Sequence, residues 1–90
     1  MVILASAQTK PKDGFVPDAA TAIKIAVAVW EPIYGTNTLA YEKPYRARLL
    51  TNTVWKVEGS LPRDPSIVGG VMTALIAKED GRILDVYHTK

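Results

Sequence analysis

The sequence contains no cysteine. Disulfide staples and thiolate metal ligands are therefore excluded, and 90 residues must be held together by an apolar core alone. No apolar run approaches the ~20 residues that a bilayer-spanning helix requires, so no membrane span is expected. Like charges do not cluster either. Eleven basic and nine acidic residues are interspersed for a net charge of +2, which argues against a nucleic-acid groove or a polybasic membrane patch. The chain has a single histidine, no G-x-S-x-G elbow and no phosphate-binding glycine loop. No cofactor, metal site or catalytic constellation is expected from such a set, and the protein reads as a non-enzyme. Hydrophobic residues make up 48% of the chain, enough for a globular domain rather than a disordered one.

The first residues, Met1-Val2-Ile3-Leu4-Ala5-Ser6-Ala7-Gln8, form a short apolar run closing on Ala5-x-Ala7. Small residues at that spacing after an apolar stretch resemble the final part of a secretory signal, clipped of the basic start and longer apolar stretch of a complete one, so the expectation is export to the periplasm with the mature chain starting near Gln8. The alternative is a cytoplasmic protein with an edge-strand N-terminus. Thr9 to Pro17, with Pro11, Gly14 and Pro17 among charged residues, reads as a linker. Residues 1–17 thus form an N-terminal segment and residues 18–90 a single α+β domain.

Asp18 is suited to cap a helix, because its carboxylate can accept from amides two or three residues on. The spacing predicts a helix from there to about Ile33, a kink or stop near Glu31 imposed by Pro32, and an end at Gly35. At steps of about 100° per residue, Thr21, Lys24, Ala28 and Glu31 form a polar stripe opposite Ala19, Ala22, Ile23, Ala26, Val29, Trp30 and Ile33. Ile25 and Val27 fall on the two flanks, where one sheet covers them only in part: coverage by loops or sheet curvature is the expectation, and a homodimer contact is the alternative. Thr36 to Pro44 reads as a polar connection.

Two hairpins follow. A three-residue turn at Thr51-Asn52-Thr53 pairs Leu50 with Val54, Leu49 with Trp55, Arg48 with Lys56, Ala47 with Val57 and Arg46 with Glu58. Only that register sets apolar against apolar and charged against charged. Tyr45, Ala47, Leu49, Trp55 and Val57 then face the helix, and Arg46, Arg48, Lys56 and Glu58 face water. Val71 to Ala77 and Ile83 to His88 form a second pair turned at Glu79-Asp80-Gly81, and their apolar content predicts the more central strands. The architecture expected is one N-terminal helix on an antiparallel sheet of about four strands.

Carboxylates at Glu31, Glu42, Glu58, Asp64, Asp80 and Asp85 read as structural or solvated, with none placed to serve a pocket. His88, two residues from the last one given, makes neither a metal site nor a general base by itself. What remains is surface. Arg46, Arg48 and Lys56 beside Glu58, with Tyr87 near if the sheet is continuous, form a candidate protein-binding patch, since arginine and tyrosine combine contact area with directional hydrogen bonds. Arg63 and Asp64, at the tip of the loop from Ser60 to Gly70, are a second candidate.

Three stretches resemble a known family when taken in order: Trp30-x-Pro32-Ile33-Tyr34-Gly35, Trp55-x-Val57-x-Gly59-x-Leu61-Pro62, and Gly69-Gly70 with Asp80-Gly81-Arg82-Ile83-Leu84. From about Ala19 to Lys90 the chain is similar to small bacterial immunity proteins with a nuclear-transport-factor-2-like fold, a reduced relative of cystatin-like architectures. Two positions depart from that pattern: Asn52-Thr53 replaces the usual Asn-Gly or Asp-Gly turn, and Val27 stands where a polar residue is expected. The resemblance implies a protein that binds a toxin delivered by neighbouring bacteria and blocks it sterically through a preformed surface. The chain is too short for the full cone in which larger members of the fold hold enzyme sites. Another class remains open, a periplasmic peptidase-inhibitor or propeptide-like module, which also pairs a helix with hairpins.

Overall fold

The structure, a computed structural model, describes residues 9–61 and 69–90. The apolar run before Thr9 and the loop residues Arg63 and Asp64 lie outside the described residues.

One helix, α1 (Ala19–Tyr41), precedes four strands: β1 (Arg46–Thr51), β2 (Val54–Glu58), β3 (Met72–Ala77) and β4 (Ile83–His88). Asp18 caps α1 as its sequence predicts. Its Oδ1 accepts from the Thr21 amide at 2.8 Å and from the Thr21 hydroxyl at 2.7 Å, and these bonds hold the carboxyl below its ordinary value. Pro32 does not end the helix near Glu31. The break comes at Gly35, whose φ of 86° and ψ of 161° leave the helical region. Beyond it the chain turns helical again, so residues 36–41 are not the polar connection that their composition suggests. Leu39, 7% exposed, explains the return, because one more turn brings its side chain into the core.

The strands form one antiparallel meander in the order β1-β2-β3-β4. Arg46–Glu58, Ala47–Val57, Arg48–Lys56 and Leu49–Trp55 oppose one another as the alternation requires. The pair nearest the turn differs: Thr51, not Leu50, opposes Val54, and Leu50 is the extra residue of a bulge. The turn is therefore the two residues Asn52-Thr53, and the Thr51 hydroxyl closes it by accepting the Thr53 amide at 3.1 Å. Gly81 takes the positive φ expected of it, 79°, in the β3–β4 turn.

α1 lies over β1, β2 and β3 and meets the end of β4 where the Tyr34 ring stands against His88. Ala22 and Ala26 let the helix approach closely, and with Trp30 they pack on Val57, Met72, Ala74 and Ile76. Both tryptophans point inward. Trp30 Nε1 donates to the Thr73 carbonyl at 3.4 Å, and Trp55 Nε1 to the Val16 carbonyl at 2.7 Å. Val16 itself is fully buried, held where the Phe15 and Val16 amides donate to the Glu79 and Lys78 carbonyls. The expectation that β4 is central does not hold. It is an edge strand, with Ile83 39% and Leu84 43% exposed, because apolar content says nothing about where the helix lies. Leu49 faces the helix side but sits on the other edge and stays 41% exposed. Ile25 and Val27 are half-buried against the core cluster. No described helix is long and apolar enough to cross a membrane.

Candidate functional site

The registers of the three strand pairs carry the expected surface residues across the whole sheet. One row runs Arg46, Glu58, Thr73, Tyr87 and the next runs Arg48, Lys56, Leu75, Asp85. Each row alternates with core residues, so both lie on the face opposite α1. The sheet is continuous, and Tyr87 shares its row with Arg46 and Glu58 as proposed from sequence. The centre of this face is partly sheltered: Thr73 is fully buried, and the side chains of Lys56 and Glu58 are about a quarter exposed, 3.9 Å apart. Arg46 and Arg48 stand at the exposed margin. Neither forms an ion pair among the described residues, and the same is true of Lys43 at the start of the strand.

Two hollows meet at that margin. One of about 490 Å³ straddles the free edge of β1, with Ile23, Tyr45 and Ala47 on its helix side and Arg46, Arg48 and Glu58 on its open side. A second, of about 660 Å³, lies at the start of β1 between Lys43, Arg46 and the Gly59–Leu61 segment. Tyr45 is fixed between them, its hydroxyl donating to the Leu39 carbonyl and its ring edge-on to Trp30 at 5.6 Å.

Behind this margin the structure assembles a cluster that sequence reasoning missed. Glu42 is 3% exposed. Its Oε1 accepts from the Met72 amide at 2.7 Å, and its Oε2 lies 2.9 Å from His88 Nε2. Its carbonyl accepts from the Ser60 amide at 2.7 Å, and its own amide donates to Thr38 at 3.0 Å. His88 Nδ1 lies 2.8 Å from the Thr89 carbonyl, and the Tyr34 ring stands edge-on at 5.7 Å. A carboxylate and a carbonyl both accept, so the two ring bonds form together only when the imidazole carries both protons. The hydrogen bond to Glu42 accordingly raises the His88 pKa above its ordinary 6.5, against the opposing effect of desolvation.

The Glu42–His88 pair ties the end of α1 to β3 and β4. Gly59 belongs to the same tie, since a Cβ there would stand 2.5 Å from Glu42 Oε1. Nothing in the sequence marks Glu42 as buried. It lies among polar residues 46 positions from His88, and only the folded register brings the two together. Among the described residues no group of three histidine, aspartate or glutamate side chains is placed to hold a metal ion.

Comparison with known proteins bears on the whole of this arrangement. A family model described as "NTF2 fold immunity protein" matches residues 21–90. The protein named "Uncharacterized protein YhhH" in Escherichia coli (strain K12) is 41% identical over 75 residues, which cover 83% of this chain. The chain spans 58% of the length of that relative. No solved structure matches.

Proposed function

The chain belongs to the NTF2-fold immunity proteins, and on that premise we propose that it binds a bacterial toxin and neutralises it by steric occlusion. The observation that carries the proposal is the alignment of Arg46, Glu58 and Tyr87 with Arg48 and Lys56 in two adjacent rows on the sheet face that α1 leaves open. A rigid four-strand sheet presents those side chains without a folding cost at the moment of binding, which favours tight association per unit area. Arg46 and Arg48, exposed and without ion-pair partners among the described residues, can give their charge to a partner without first breaking a bond.

The net charge of +2 disfavours a nuclease target, because an inhibitor that imitates nucleic acid needs a surplus of acidic groups. The run from Met1 to Ala7 supports export and, with it, a toxin that acts in the periplasm on the cell wall. A toxin gene adjoining the gene for this chain supplies the test. Co-expression of the two should restore growth of sensitive cells, and R46E/R48E should abolish that rescue while its melting temperature stays within a degree or two of wild type. Rescue undiminished by the double reversal removes the open face from the mechanism. An adjoining metallopeptidase that the chain inhibits would instead favour the inhibitor reading.

A further inference from the structure

Among the described residues β1 pairs with β2 on one side only, and the backbone groups along its outer edge have no strand beside them. The hollow that straddles this edge has walls of opposite character. On the helix side Ile23, Tyr45 and Ala47 are apolar, and the half-exposed Leu49 extends them along the strand. On the open side Arg46 and Arg48 project, and Lys43 adds a third cation beside Arg46 in the neighbouring hollow. An added strand sends alternate side chains to opposite faces of a sheet. It would therefore present one set of residues to the apolar wall and the other to the cations.

We infer that β1 takes up an extended acidic segment of the partner protein as a fifth strand, its carboxylates facing Lys43, Arg46 and Arg48 and its alternate apolar residues facing Ile23, Ala47 and Leu49. The inference deepens the toxin-binding reading and rests on it for the identity of the partner. Six residues of β1 offer about 20 Å of edge, enough for a segment of similar length. The opposite edge is unsuited: β4 has no lysine or arginine, and Asp85 would repel an acidic strand. Nucleic acid fits poorly too, because a phosphate backbone has nothing to place on the apolar wall.

The test titrates the uniformly ¹⁵N-labelled chain with acetylated, amidated peptides, one alternating glutamate and valine over six residues and one alternating lysine and valine. The glutamate peptide should shift the amides of Arg46 to Leu50 together with those of Ile23 and Val27, and its affinity should fall as salt screens the pairs. R46E/R48E should weaken it about tenfold or more, the loss of two exposed ion pairs. Shifts confined to β4, equal binding of the lysine peptide, or no saturable shift overturns the inference. Matching shifts from a single-stranded oligothymidine overturn it as well. Growth rescue by the whole chain with no peptide response at β1 would sink strand addition alone, whereas a β1 response without rescue would sink the immunity reading alone.

Discussion

Replacing Gly59 with alanine sets two opposing effects against each other, and the structure says which wins. Gly59 is not among the residues with positive φ, so its backbone accepts an alanine without strain. At such a position the substitution usually stabilises by about 0.4–1 kcal/mol through the unfolded state. Here the new methyl would stand 2.5 Å from Glu42 Oε1, 2.9 Å from Glu42 Cβ and 3.3 Å from its carbonyl oxygen. Glu42 cannot step aside freely. Its carboxylate is held by Met72 and His88, and its backbone by Thr38 and Ser60. Withdrawal of the carboxylate leaves the buried Met72 amide unpaired, which costs about 1–3 kcal/mol. The net expectation is a loss of about 1–2 kcal/mol, or roughly 5–15 °C in a domain of this size. Thermal melts by circular dichroism read it directly. In a Glu42→Ala background the contact with Oε1 is gone while the 2.9 Å contact with Cβ remains, so the same Gly59→Ala change should cost clearly less than in wild type without becoming free. A Gly59→Ala protein that melts at or above wild type, with Glu42 intact, would refute the close approach of these two residues.

Trp55→Ala should cost about 3–5 kcal/mol, since it empties a buried aromatic site and leaves the Val16 carbonyl without its donor; urea titration with a negligible shift in midpoint would show that the ring is solvated. Against a total of about 5–15 kcal/mol for a domain, that loss would leave a sizeable unfolded fraction. His88 gives a pH dependence of definite sign. Its folded pKa is raised, so its contribution is complete below the unfolded value near 6.5 and fades as pH climbs through the folded value. Wild type should therefore gain stability over His88→Gln between pH 8.5 and pH 6, and parallel melting curves for the two across that range would contradict the Glu42–His88 bond.

Much of the fold is legible in the sequence because a wrong choice would bury charge. Arg46, Arg48, Lys56 and Glu58 alternate strictly with apolar neighbours, and that alternation fixes the β1–β2 register almost to the turn. It fails at Leu50, where a bulge lets a two-residue turn keep the same faces paired as the expected three-residue one, and the Thr51 hydroxyl closes that shorter turn. Gly35 is visible as a break, but the helical turn after it depends on Leu39 finding the core, a tertiary effect that composition does not carry. The place of β4 at the edge is hidden for a related reason: Ile83 and Leu84 look like core residues until the footprint of α1 is known. The Arg46–Glu58 part of the row follows from alternation, whereas its extension through Thr73 to Tyr87 needs the β2–β3 pairing, and the Glu42–His88 tie needs a contact across 46 residues that no local pattern records.

Hydrogen exchange of the chain, free and mixed with the toxin encoded beside it, tests the central claim most directly. Slowed exchange should appear at the amides of Arg46 to Thr51 and along the Arg46–Tyr87 row, with the exposed stripe of Lys24, Ala28 and Glu31 on α1 unchanged. Protection confined to that stripe, or no protection at saturating toxin, would contradict an immunity protein that works through its open sheet.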